Sequence, residues 1–294
     1  MKKLADKIKR VGLIANVEKA GCAKTIQKAA RLIVRAGREV VGEERTAVFA
    51  GLKGATAPDA AALAGAVDLL LVFGGDGTML HTARDVAGSF TPMLGVNIGG
   101  LGFLTAVPSD DLPAALGHVW RGEFKYEPRV LIEAGGFCQG RAIHATALND
   151  IVVSRGAVSR LIALEVGVDG ELVTRYRCDG LIISSPTGST AYSLAAGGAV
   201  VLPTADVFAL TPICPHALSN RSIILPLSSI LRVKAASPQS GTILSADGEV
   251  VAELDAGDEI TVRRSRRAIR LMHLADSSFL EALRRKLHWR GAYL

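Results

Sequence analysis

Gly74, Gly75, Asp76 and Gly77 follow directly on Leu69–Phe73, a short run of bulky apolar residues. Three glycines bring the backbone close to a ligand with no side chain in the way, and they let it turn sharply. Amides in such a turn can point together at an anion, as phosphate-binding loops do. Asp76 in their midst would repel a phosphate. Its presence makes sense if it orients a metal or takes the proton of an attacking hydroxyl. The same residues also suit a plain strand-ending turn with aspartate as a turn residue. Both readings stand on this stretch alone.

Three further stretches carry polar chemistry. Asn97-Ile98-Gly99-Gly100-Leu101-Gly102-Phe103-Leu104 is a second glycine-rich turn after an apolar strand, or else a tight loop at a helix contact. Asn149-Asp150 ends an alternating segment and suits ribose hydroxyls or the start of a turn. Asp179–Ser193 runs from a buried strand into Ser184-Ser185-Pro186-Thr187-Gly188-Ser189-Thr190-Ala191-Tyr192-Ser193. Hydroxyls at that density supply donors and acceptors for a polar ligand, and Tyr192 adds a ring face and a phenol. A helix N-cap would need only one of them.

The elements that must hold these residues differ between the two ends of the chain. Val11–Val17 reads as a strand, and Ile26, Ala29, Ala30 and Ile33 repeat at helical spacing with Gly37 as a stop. Glu39–Val41 opens a second strand, Asp59–Ala66 a helix, Leu69–Phe73 a strand, Thr78–Val86 a helix and Met93–Ile98 a strand. This alternation predicts an α/β domain with an open, mainly parallel sheet, where ligands sit beyond the carboxyl ends of strands. After about Arg121 the texture becomes β-rich: Val130–Glu133, Ile143–Leu148, Ile151–Ser154, Leu161–Val168 and Leu172–Tyr176. Asp169-Gly170 is a hairpin signal, and so is Asp247-Gly248 between Ile243–Ala246 and Val250–Leu254. Helical spacing returns at the end, where Ser278 and Glu281 predict a capping box and Phe279, Leu280, Leu283 and Leu287 share a face. We divide the chain into 1–125, an α/β domain, 126–270, a β-rich domain, and 271–294, a helical segment packing back on the first.

Composition removes several classes. No apolar stretch reaches membrane-spanning length, and the basic start Met1–Arg10 leads into a strand rather than a signal peptide. Four scattered cysteines fit a reduced, cytoplasmic protein, and no His/Cys cluster has zinc spacing. The net charge of +6 favours anionic ligands. Arg263, Arg264, Arg266, Arg267 and Arg270 concentrate part of it, but only 5% of residues are aromatic and none interleave with the run. That predicts a solvated strand edge followed by a turn, with no nucleic-acid partner. The chain lacks a P-loop, a G-x-G-x-x-G after a strand and a G-x-S-x-G elbow, which disfavours P-loop nucleotide enzymes, Rossmann dehydrogenases and serine hydrolases.

Taken together, these motifs resemble the NAD kinases of compact bacterial type. The resemblance spans Gly74–Thr78, Asn97–Leu104, Asn149-Asp150, Asp179–Tyr192, Gly197-Gly198, Thr211–Pro226, Asp247-Gly248 and Leu283–Trp289. The first motif alone is shared with lipid kinases and phosphofructokinases, whereas Pro186–Tyr192 beside it is specific. Ser185 stands where threonine is usual, Ala199 where proline is usual, Asp150 where glutamate is common and Glu249 where glutamine is frequent. A lipid kinase would need a membrane-facing surface, for which no amphipathic basic helix is evident, and a non-catalytic dinucleotide sensor could drop Asp76.

The resemblance implies transfer of a phosphoryl group from ATP, or polyphosphate, to the 2′-hydroxyl of the adenosine ribose of NAD, with a divalent cation such as Mg2+. It makes Asp76 the proton acceptor and puts Gly77 and His81 at the nucleotide, although His81 also suits a helix surface. Asn149 and Asp150 would hold ribose or nicotinamide-side groups. Thr190, Ala191, Tyr192 and Ser193 would take the adenine half, with Leu194, Ala195, Arg160, Arg177, Asp179 and Glu249 also at the dinucleotide. In relatives the Arg177–Asp179 strand reaches the site from a neighbouring subunit, which implies a homodimer or homotetramer.

Overall fold

The computed structural model describes residues 5–289 except 20, 101, 158, 159, 218, 219, 237–240 and 276. Met1–Leu4 of the basic start and Leu101 of the second glycine motif lie outside the described residues. The chain divides into two compact units, residues 1–128 with 268–294 and residues 129–267.

The first unit alternates strands and helices, as the sequence predicts. Strands β1 (Arg10–Ala15), β2 (Glu39–Glu43), β3 (Ala55–Ala57), β4 (Leu69–Gly74), β5 (Pro92–Asn97) and β6 (Val107–Pro108) are interleaved with helices α1 (Cys22–Arg35), α2 (Glu44–Ala50), α3 (Ala60–Ala66), α4 (Asp76–Asp85) and α5 (Leu112–Arg121). All strand pairs here are parallel, in the order β3-β2-β1-β4-β5, with β6 beside β5. The order reverses between β1 and β4, which makes their carboxyl ends the switch point where such sheets bind ligands. β4 and β5 are buried along their whole length, because helices cover both faces of a parallel sheet. The core gathers Leu13, Ile26, Ile33, Leu69, Leu71, Phe73 and Leu94. Asp59 caps α3 by accepting the Ala62 amide at 2.7 Å. Helices α2 and α5 were not foreseen. Both are short; α5 starts on a proline-bearing first turn, though Leu112, Ala115, Leu116 and Val119 do repeat at helical spacing.

The second unit is antiparallel. It is built from β7 (Phe124–Cys138), β8 (Arg141–Ala147), β9 (Asp150–Arg155), β10 (Ile162–Val168), β11 (Glu171–Cys178), β12 (Gly180–Ser184), β13 (Val207–Ile213), β14 (Ile223–Pro226), β15 (Leu231–Ala235), β16 (Thr242–Ala246), β17 (Glu249–Leu254) and β18 (Glu259–Leu274), with the small helix α6 (Tyr192–Ala195). One sheet runs β14-β13-β12-β9-β16-β17, and β11-β10-β15 continues to the first residues of β18 in the other. Their inner faces share a core of Ile151, Val153, Leu164, Leu181, Ile183, Phe208, Val233 and Leu244. Both Asp-Gly turns close hairpins with left-handed backbones, φ 52° and 92° at Asp169-Gly170 and 48° and 83° at Asp247-Gly248.

Two sequence expectations fail. The arginine run does not lead into a turn: β18 passes straight through it to Leu274, with all five guanidinium side chains exposed between the buried Val262, Ser265, Ile269 and Leu271. Neighbouring arginines are exposed together along this strand, with Ser265 and Ile269 the buried residues between them. The capping box also does not form. Ser278 is the N-cap of α7 (Phe279–Lys286), but its hydroxyl makes no cap bond, and Leu280 is exposed while Leu283 is buried.

Candidate active site

In the first unit the three glycines make no left-handed turn, and space demands a glycine only at Gly74. None of Gly74, Gly75 and Gly77 has a positive φ. A Cβ on Gly74 would run into the Thr78 side chain. Gly75 precedes α4 in extended backbone, with φ −114° and ψ −170°. Asp76 opens that helix and turns its half-buried carboxylate away from it. Oδ2 accepts the Phe103 amide at 2.7 Å, and Oδ1 accepts the Leu104 amide at 3.0 Å and the Thr105 amide at 3.2 Å. The Thr105 hydroxyl adds a fourth bond to Oδ1 at 3.2 Å. The aspartate therefore ties the end of β4 to the glycine turn that follows β5. Asn97 supports the same turn, donating to Gly100 O at 2.7 Å and to Thr105 Oγ1 at 2.9 Å.

These contacts leave no room for a side chain at residue 102. A Cβ on Gly102 would collide with the Asp76 carboxylate and the Thr105 hydroxyl. Gly102→Ala is therefore expected to push Asp76 out of place and, on the reading of Asp76 as proton acceptor, to cut turnover by at least about 10²-fold. Steady-state kinetics on the folded variant checks this, and near-normal kcat would contradict it.

The aromatic ring of Phe103 is held from α7. Its centroid lies 6.3 Å from that of Phe279, and Lys286 Nζ sits 4.4 Å above it. His81 lies on the exposed face of α4 and pairs with Asp85, Nδ1 to Oδ2 at 2.9 Å. Gly77 is open, with nothing near the position of a Cβ.

In the second unit the sequence motifs converge at one end of a sheet. Antiparallel pairing puts the end of β12 (Ser184), the start of β9 (Asp150) and the end of β16 (Ala246) side by side. Asn149, Asp150, the Thr187–Ala195 segment, Asp247 and Glu249 all extend from that edge. Asp247 organises it much as Asp76 organises its own loop. Its carboxylate accepts the amides of Leu148 at 2.9 Å, Asn149 at 2.7 Å and Asp150 at 3.3 Å. Gly188 has to be glycine because a Cβ would overlap the Asn149 backbone.

Asp150 is only 5% exposed beside Asp247. Burial, reinforced by the Asp247 charge, pushes its carboxyl from 3.8 up to about 7. Between those two pH values the folded chain keeps a proton that the unfolded chain has released. Stability contributed by this group is thus complete below about 3.8, falls as pH rises, and levels off above about 7. Asp150→Asn should remove the fall. Its Tm relative to the natural chain should rise between pH 5 and 8, by the equivalent of a few kcal/mol at the upper end. A constant Tm difference across that range would contradict the assignment.

The hydroxyl-rich stretch builds itself before it can serve a ligand. Ser184, Ser185, Ser189 and Ser193 are fully buried. Ser185 Oγ donates to Leu148 O at 2.5 Å and accepts the Gly188 amide at 3.2 Å, while Ser189 Oγ donates to Pro186 O at 2.8 Å. Ser193 Oγ lies 3.0 Å from Thr211 Oγ1, which lies 2.8 Å from Ser222 Oγ. Arg129, 4% exposed, donates to Thr187 Oγ1 at 3.3 Å. The accessible groups are Thr190, Ala191, Leu194 and Ala195, with Tyr192 48% exposed. Glu249 is exposed at the start of β17.

Arg177 and Asp179 are not brought to this edge. Asp179 precedes β12 at its far end, where its Oδ1 pairs with Arg155 Nε at 2.7 Å, and Arg177 lies near the end of β11. At about 3.3 Å per residue, Asp179 and Ser185 are roughly 20 Å apart along the strand. Arg177 is exposed on β11, which is an edge strand, and Arg160 is exposed on the loop before β10. The sequence marks Asp247-Gly248 as a hairpin turn and as a family motif but gives no sign that Asp247 organises this edge, and it gives no signal for Arg129.

A parallel sheet with a glycine–aspartate turn at its switch point, followed by an antiparallel unit with one polar edge, defines a two-unit phosphotransferase. Residues 11–124 match the family model of the ATP-NAD kinase N-terminal domain, and residues 148–274 that of the C-terminal domain. The NAD kinase of Cupriavidus pinatubonensis is 39% identical over 287 residues, covering 97% of this chain and 94% of that protein. The NAD kinase of Moorella thermoacetica is 40% identical over 287 residues, covering 97% and 91%. Yeast NADH kinase complexed with NADH superposes with a TM-score of 0.88 at 28% identity, covering 98% of this chain and 90% of that one. An NAD kinase from Archaeoglobus fulgidus in complex with ATP gives 0.72 at 27% identity, covering 96% and 100%. The chain belongs to the NAD kinase family, whose members phosphorylate NAD to NADP.

Proposed function

We propose that in this reaction Asp76 accepts the proton of the attacking hydroxyl, and that the polar edge of the second unit recognises the dinucleotide. The 2′-oxygen of the adenosine ribose attacks the γ-phosphorus of ATP. A P–O bond to the ribose forms, the P–O bond to ADP breaks, and ADP leaves with the electron pair. The hydroxyl proton passes to Asp76 Oδ2. The observation that carries this reading is the hydrogen-bond pattern of Asp76. Oδ2 accepts one amide, leaving a lone-pair direction for a hydroxyl, while Oδ1 is spent on fixing the loop. A loose transition state lets the proton move late, so a weak base suffices.

Asn149 and Asp150 would bind the ribose or nicotinamide side, and Thr190–Ala195 with Tyr192 the adenine half. Below about pH 7 Asp150 can donate a hydrogen bond, and above it only accept. Gly77 and His81 would face the nucleotide, and Glu249 would add a carboxylate at the dinucleotide edge. A divalent cation would neutralise charge on the donor's phosphates. Among the described residues no three His, Cys, Asp or Glu side chains cluster to cage one. Magnesium is usually held by substrate phosphates and waters with few protein carboxylates.

The position of Arg177 and Asp179, far along the strand from Ser185, supports a homodimer or homotetramer in which they serve a neighbouring subunit's site. The edge strand β11, with Leu172 58% exposed and Val173 40% exposed, offers a surface to a second copy. A reduced, cytoplasmic setting suits the four free cysteines. No helix among the described residues is long and apolar enough to cross a membrane.

An acceptor panel tests the recognition. Sites that bind a ligand's polar groups reject analogues lacking them by large factors. NAD should be phosphorylated, adenosine poorly, and diacylglycerol or sphingosine not at all. Comparable rates on NAD and on a lipid would refute this assignment of the polar edge.

A further inference from the structure

We propose that Lys19 binds the phosphate chain of the donor at the switch point of the first unit's sheet. The inference deepens the reading above and rests on it, because it takes the Gly74–Thr78 turn to receive the donor. Loops leave the carboxyl ends of β1 and β4 side by side, and the Asn16 amide donates to Phe73 O at 3.0 Å where they part. Lys19 belongs to the β1 loop. Its ammonium reaches across to the turn after β5 and donates to Ile98 O at 2.8 Å. On the way it passes 3.3 Å from the position a Cβ on Gly75 would take and 3.7 Å from that of Gly99. Two glycines, Gly75 and Gly99, therefore flank one half-buried cation.

Three features separate this lysine from a mere brace. A brace for the Ile98 carbonyl needs one donor and no charge, whereas an ammonium carries three donors. Among the described residues no carboxylate pairs with it, and the nearby Asp76 directs its carboxylate to the amides of residues 103–105. The location is the crevice where the order of a parallel sheet reverses, the usual ligand position in such folds. A partly desolvated cation between these two glycines suits a linear phosphoanhydride, whether carried by ATP or by inorganic polyphosphate. Lys19 exchanges no atoms in the transfer. It offsets negative charge on the phosphoryl oxygens while the ribose oxygen attacks and ADP departs.

The test compares Lys19→Gln, which keeps a donor for Ile98 O, with Lys19→Arg. In Lys19→Gln the KM for ATP should rise roughly 10- to 100-fold, the range for losing a hydrogen bond to a charged group. The KM for NAD and the Tm should stay near their natural values, and Lys19→Arg should recover much of the loss. Calorimetry should show tripolyphosphate binding weakened alongside ATP, since both carry the same chain. ATP weakened alone would place Lys19 on the nucleoside and overturn the proposal, as would an unchanged KM for ATP or equal losses for ATP and NAD. Should Lys19→Gln not fold, amine-selective labelling of the natural protein decides. Tripolyphosphate should shield Lys19 from acetylation, and an unshielded Lys19 would refute the site. If the natural protein makes no NADP from ATP or polyphosphate, the functional reading fails, while the labelling still decides whether Lys19 binds phosphate.

Discussion

Asp76→Asn is expected to lower kcat by at least about 10²-fold while NAD binding persists, because the residue proposed to take the hydroxyl proton is gone. The structure adds a second consequence. An asparagine can keep Oδ1 as acceptor for the Leu104 and Thr105 amides, but its NH2 would then face the Phe103 amide, donor against donor. That mismatch should cost on the order of 1–3 kcal/mol of stability. Kinetics must therefore be run beside a thermal melt and an NAD titration. A folded variant with intact NAD affinity and near-normal turnover would sink the catalytic assignment. A variant that loses NAD affinity and turnover in parallel would reduce Asp76 to a loop anchor.

The second large effect is complementation. Asp179→Ala should be nearly inactive on its own, since Asp179 lies at the far end of β12 and is assigned to a neighbouring subunit's site. Mixed with Asp76→Asn and reassembled, some heteromers would contain a site with both aspartates intact, and part of the activity should return. Closed symmetric oligomers make such borrowing available at every site. The natural Asp179–Arg155 pair complicates the variant, because removing Asp179 also releases Arg155 from that contact. Stability of Asp179→Ala has to be measured for that reason. Verified heteromers as inactive as both parents would refute the shared site and leave Asp76 untouched.

The sequence was most readable where local chemistry and fold agree. Leu69–Phe73 and Met93–Ile98 are apolar on both faces because both faces are buried, and they mark the parallel sheet without help. Asp169-Gly170 and Asp247-Gly248 announce hairpins because their left-handed backbones demand those residue types. The hairpin at Gln139-Gly140 has the same backbone, φ 52° and 72°, but glutamine gives no such signal. Long-range bonds were invisible. Nothing in Asp247 says that it will collect three amides from residues 148–150, or in Gly102 that Asp76 will fill the space beside it. The serines of residues 184–193 looked like ligand groups because their density is unusual, yet burial turns most of them inward. Lys19 passed as one charge among many, since only the fold shows which turns it spans.

Phosphate transfer from γ-labelled ATP tests the central claim most directly. The purified chain, incubated with that ATP, magnesium and NAD, should release ADP and NADP in equal amounts. The label should be found on the 2′-oxygen of the adenosine ribose. ADP formed without NADP, or label on any other oxygen of the dinucleotide, would contradict the account.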